Sequence, residues 1–160
     1  MWLIIIITIL LDGIIVYYMP SFSNNLTYFY PMLTISLIPI LHSYNSCKKF
    51  YKTCFIMGFI YDLLYSNIFL YHALIFLLIG KIDSKIYKVM KDNLIMKILL
   101  VILNIIIYDT IGFILIIFSH YEDLSINSLF YKISHSLLLN ILSVFVYYFL
   151  GRKVMKKHKI

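Results

Sequence analysis

Residues 98–107 hold one polar side chain, Asn104, and sit inside a stretch, 94–118, long enough to cross a bilayer as a helix. A soluble chain can bury one such run as a core helix. It cannot bury several, and comparable runs recur at 2–18, 28–44 and 130–150. These runs do not alternate apolar and polar residues, as the strands of a membrane barrel would, so they read as helices. Charge agrees with this: 13% of residues are charged, against about 25% in ordinary soluble domains. Too little polar surface remains to solvate a globule, so lipid must replace water as the solvent. Pro20 and the polar residues 21–25 close the first span, which reads as retained rather than cleaved because no small-residue cleavage site follows it.

Residues 53–80 allow two readings. A single helix would be about 42 Å long at 1.5 Å per residue, well over a hydrocarbon core of about 30 Å. Two helices broken near Ser66 and Asn67 would each be short. The placement of bases decides, because short cytoplasmic loops collect lysine and arginine. Lys48, Lys49 and Lys52 form one cluster. Lys81, Lys85, Lys88, Lys91 and Lys97 form a second. Arg152, Lys153, Lys156, Lys157 and Lys159 form the third. With two short helices, all of these bases fall on one side and only Lys132 is left out. The expectation is therefore an all-α integral membrane six-helix bundle in one domain, 1–160. Its spans are about 2–18, 28–44, 53–66, 68–80, 94–118 and 130–150, the third and fourth are short, and both termini are cytoplasmic. Residues 81–97 read either as an amphipathic helix on the inner surface, through Ile82, Ile86, Val89 and Met90, or as a solvated loop. Basic residues in short clusters, rather than along one face, argue against nucleic acid and suit membrane lipid.

Ionisable side chains inside a span are costly, at least about 2.5 kcal/mol for a mid-helix aspartate. Among them are Asp12, Asp62 and Asp109 in the odd spans, and His42, His72 and His135 in the even ones. Counting helical rise places all but His42 in one layer in the outer half of the bilayer. Such a layer can be polar glue between helices, helped by Asn104 and Asn140. It can be a patch covered by a partner's helix, or a proton or substrate path.

Enzyme signatures are absent. There is no phosphate-binding loop, no G-x-S-x-G and no H-E-x-x-H. Ser134 and His135 are sequence neighbours and point to different faces of a helix. Cys47 and Cys54 have neither disulfide nor zinc-site spacing. No catalytic residue, cofactor or metal is expected.

The stretch from Gly58 to Gly80, GFIYDLLYSNIFLYHALIFLLIG, resembles the signature segment of the MreD family of bacterial rod-shape proteins. Gly58, Asp62, Leu63, Leu64, Ser66, Ala73, Leu74 and Gly80 match its pattern, with His72 opening the His-Ala-Leu element. Chain length, span count, Pro31 and the basic tail fit as well. Where the family often has glycine about eight residues after the aspartate, this chain has Leu70. The resemblance implies a non-catalytic part of the elongasome, which inserts lateral-wall peptidoglycan. It also implies an MreC-like partner and an assembly that includes MreB, RodA and a penicillin-binding transpeptidase. Substrate-binding membrane subunits of energy-coupling-factor vitamin transporters look alike in architecture. Their usual first-span motif has alanines four apart, and the first span here has no alanine.

Overall fold

The computed structural model describes residues 2–18, 32–43, 46–66, 68–118 and 126–156. Six helices and no strand occur among them: α1 (Trp2–Tyr18), α2 (Leu33–His42), α3 (Cys47–Tyr65), α4 (Tyr71–Tyr87), α5 (Leu94–Phe118) and α6 (Ile126–Lys156). The expected all-helical membrane bundle is what the chain adopts. Of these, α5 and the 129–151 part of α6 are long and apolar enough to cross a membrane, while α1 and α2 are apolar but shorter. The start of the expected second span, with Pro31, lies outside the described residues.

Burial is inverted relative to a water-soluble bundle. Leu3, Ile6, Leu10, Leu74, Ile95, Leu138 and Leu142 face outward, while Asp12, Asp62, Asp83, Asn104, Asp109 and Asn140 are buried. Lipid suits the first group, and only neighbouring helices can satisfy the second. The hub is α2, which touches all five other helices. Every residue from Leu33 to Leu41 is buried, small polar Thr34 and Ser36 among them. The tightest pair is α3 with α4, followed by α5 with α6.

Helices α3 and α4 have 19 and 17 residues, against 25 and 31 for α5 and α6. They overrun the expected spans only at the lysine-bearing end, where Lys48, Lys49 and Lys52 open α3 and Lys81 and Lys85 close α4. Residues 81–87 therefore continue α4 rather than forming a separate surface helix or a loop. Asp83 and Ser84, buried between the lysines, explain this, because solvating that turn would leave α4 without its packed inner face. Lys97, expected in the loop, sits in the first turn of α5 with its side chain 2% exposed. Its ammonium donates to Ser43 Oγ at 2.5 Å and pairs with Asp92. It also stands 5.5 Å above the Tyr87 ring and 5.9 Å above the Tyr148 ring. His42 stacks on Tyr87 at 4.0 Å. This layer ties the lysine-bearing ends of α2, α4, α5 and α6 together.

Leu70, between α3 and α4, has φ 63° and ψ 10°. Left-handed backbone costs a non-glycine residue about 1–2 kcal/mol, and this is the position where the resembling family often has glycine. Glycine recovers that cost less its own chain entropy. Leu70→Gly is expected to stabilise the protein by about 0.5–1 kcal/mol, read as a higher melting temperature in detergent.

Candidate functional site

The polar residues converge in a layer about 18 Å from Lys97, the rise along α5 from that residue to Asp109. Helices α2 and α4 both begin in this layer, inside the bundle. A helix start leaves backbone N–H groups without partners, and neither Met32 nor Leu70, the residues preceding the two helices, supplies a side-chain cap. Aspartates on the preceding helices do so instead. Asp12 Oδ1 accepts from the Leu33 N–H and Oδ2 from the Thr34 N–H, each at 2.9 Å, with the Thr34 hydroxyl also donating to Oδ2. Asp62 Oδ1 accepts from the His72 N–H at 2.9 Å, and Oδ2 from the Ala73 N–H at 3.0 Å. One device serves both hairpins. A carboxylate on the outgoing helix seals the start of the returning one, and the positive end of that helix favours the negative charge.

His72 extends the second cap. Its Nδ1–H donates to Asp62 Oδ1 at 2.7 Å, which leaves Nε2 to accept from the Tyr108 hydroxyl of α5 at 2.8 Å. Asp62, His72 and Tyr108 thus form one buried chain across three helices. Asn140 of α6 closes the first cap. Its Oδ1 accepts from the Met32 N–H at 3.1 Å and from the Ser36 hydroxyl at 2.9 Å.

Three glycines have separate duties. A Cβ on Gly58 would lie 2.4 Å from the His72 carbonyl oxygen and 2.6 Å from Ala73 Cα. Gly58 and Ala73 therefore mark where the α3 and α4 backbones touch, one turn from Asp62. Gly80 faces Cys54 Sγ, which a Cβ would approach to 2.9 Å, and keeps the same helices close at the lysine-bearing end. Gly112 meets only the Tyr71 hydroxyl, at 3.2 Å.

Asp109 is handled differently. It is fully buried and pairs with Lys132 of α6 at 3.1 Å, whose side chain is 39% exposed. Here an ammonium replaces a helix start as the counter-charge. Removing one member of a buried pair leaves the other uncompensated, at about 3 kcal/mol or more. Lys132→Met is expected to lose about 3 kcal/mol, and Asp109→Asn with Lys132→Met to regain most of it. Equilibrium unfolding in mixed micelles measures both.

The layer therefore joins Asp12, Asp62, His72 and Asp109. It does not take in His135, whose ring stacks on Tyr131 at 3.8 Å and bonds within its own helix on the outward face of α6. Counting rise says nothing of direction, and the neighbouring Ser136 is the one that points inward. Asp83 also lies outside the layer, bonded by Asn104 at 3.1 Å nearer the lysines. Thr34, Tyr108 and Lys132 were not anticipated as members. Lys132 carried a signal, as the single base outside the three clusters. A cavity of about 130 Å³ opens in the layer among all six helices, with Tyr61, Phe76, Tyr108 and Lys132 on its wall. No group of three or more His, Cys, Asp or Glu side chains suited to a metal occurs among the described residues.

The architecture and the Gly58–Gly80 hairpin agree with a match to the model of one family, described as rod shape-determining protein MreD, over residues 1–158. The chain belongs to the MreD family. It is thus a membrane protein with a role in determining rod shape, of a family that acts structurally rather than as enzymes. No curated protein and no solved structure matches it. In this MreD-family chain Gly58, Asp62, His72, Ala73 and Gly80 lie along one line of contact, the seam between α3 and α4, whereas Leu63, Leu64 and Leu74 of the same segment face outward.

Proposed function

We propose that this MreD-family chain is a non-catalytic membrane component of the cell-elongation complex, the machinery of lateral-wall peptidoglycan synthesis, and that it acts by binding an MreC-like partner. In this reading it crosses the bacterial cell membrane six times, with the lysine-bearing end and both termini in the cytoplasm. MreB, RodA and a penicillin-binding transpeptidase are its wider company. The observation that carries the reading is how the intramembrane carboxylates are used. Asp12 and Asp62 each seal another helix, and Asp109 is paired with Lys132. Charged groups so committed build a rigid scaffold. With so little chain outside the helices, the scaffold meets other proteins through helix faces and short connections. The lysines suit anionic headgroups on the cytoplasmic leaflet, at about 1 kcal/mol per base.

Vitamin uptake fits less well. Transporters hold anionic substrate at free helix starts near the midplane, and here Asp12 and Asp62 occupy both starts.

Depleting the protein while imaging cell shape, together with recovery of the tagged chain from membranes, tests the proposal. Rounded cells and a co-purifying MreC-like protein with a single span are expected. Normal rods and no such partner would overturn it.

A further inference from the structure

The outward face of α6 carries polar groups at a depth where lipid offers them nothing. Tyr148 marks the lysine-bearing end through its contact with Lys97, and the rise from Tyr148 to His135 is about 20 Å, inside a hydrocarbon core of about 30 Å. From His135, α6 runs on toward its far end past the half-buried Lys132 and the exposed Phe130, Asn127 and Ile126. By that count of rise His135 falls within the hydrocarbon core. Its Nδ1–H donates to the Tyr131 carbonyl at 2.9 Å, with Ser134 Oγ 3.2 Å away. That bond fixes the tautomer and leaves Nε2 as an acceptor, for which no partner occurs among the described residues. Ser134 is exposed beside it, and Leu138, 63% exposed, continues the same face one turn further along. Polar side chains in membrane helices almost always face the bundle interior or a water-filled cavity. Ser134 is exposed and His135 half-buried here, whereas Asp12, Asp62, His72 and Asp109 are buried.

We infer that the Tyr131–Ser134–His135–Leu138 face of α6 is the docking surface for a transmembrane helix of a different protein, one that presents a hydrogen-bond donor (a hydroxyl, amide or indole N–H) to His135 Nε2. The complementarity is polar: an acceptor without a partner among the described residues, a small serine that permits close approach, and Tyr131 and Leu138 on either side. This deepens the partner-binding proposal above and rests on it.

The test uses the full-length tagged chain in its own cell membranes. A photo-crosslinking residue at Leu138, with Leu10 on α1 as control, reports what lies against each face. His135→Leu and His135→Gln are compared for partner recovery, since glutamine keeps an acceptor near the Nε2 position. Expected are a Leu138 adduct within a transmembrane segment of another protein and an unchanged melting temperature for both variants. Partner recovery should weaken about threefold to fifteenfold in His135→Leu, the range of one interhelical hydrogen bond, and be largely retained in His135→Gln. An adduct between two copies of this chain, or to lipid alone, would overturn the inference. So would undiminished recovery with His135→Leu, which would move the docking face elsewhere and leave the partner-binding reading standing. If no single-span protein accompanied even the unaltered chain, that reading would fall and the inference with it.

Discussion

Asp62→Leu is expected to destabilise the bundle by about 3–5 kcal/mol and to abolish function in cell-shape rescue. The carboxylate satisfies two backbone N–H groups at the start of α4 and the imidazole N–H of His72. Leucine leaves all three without a partner in a dry interior, where each orphaned group costs about 1–3 kcal/mol. The loss also frees His72 from Tyr108, so α5 loosens from the α3–α4 hairpin. Asp62→Asn distinguishes capping from proton transfer. An amide keeps one accepting oxygen and turns its NH2 against a donor, so about half the stability loss is expected, with partial rescue of shape. A proton path would make asparagine as damaging as leucine. Unfolding in mixed micelles and rescue of a depletion strain read the two effects separately.

Gly58→Ala is expected to cost about 2–3 kcal/mol for one added methyl group, at the upper end for overpacking. The atoms that methyl would meet, the His72 carbonyl oxygen and Ala73 Cα, belong to the backbone and cannot rotate away. The helices must part, and parting them draws the Asp62 carboxylate off the start of α4. Gly112→Ala is the control, because it meets only the end of the Tyr71 side chain and should cost under about 1 kcal/mol. Since Gly58 and Asp62 act on the same junction, their losses should add to less than the sum in a double-mutant cycle.

The two expectations show what was legible in the residues alone. The number of helices was, because apolar runs and lysine clusters obey the bilayer rather than tertiary detail. The Asp62 cap is local, since that residue seals a helix that starts nine residues later. The Asp12 cap was harder to see. Thr34 is 22 residues away, and nothing local distinguishes a capping aspartate from one facing a cavity. Lys97 was read as a loop residue because a lysine beside a membrane usually snorkels toward water. Asp92, Ser43 and the Tyr87 ring keep it inside. His135 shares no contact with the buried aspartates, because at 3.6 residues per turn one position along a helix turns a side chain through more than a quarter of the circumference.

Every depth used above follows from the lysine-bearing end being the cytoplasmic one. The native Cys47, exposed at the start of α3, and a Val89→Cys probe in the α4–α5 turn, where Val89 is 87% exposed, report that end directly. A probe at Phe69, in the turn between α3 and α4, reports the other. With a membrane-impermeant maleimide, Cys47 and Val89→Cys should be labelled in inverted vesicles and protected in intact spheroplasts, whereas Phe69→Cys should never be labelled from the cytoplasmic side. Labelling of Cys47 and Val89→Cys from opposite sides would contradict the six-span scaffold and every role assigned to its aspartates.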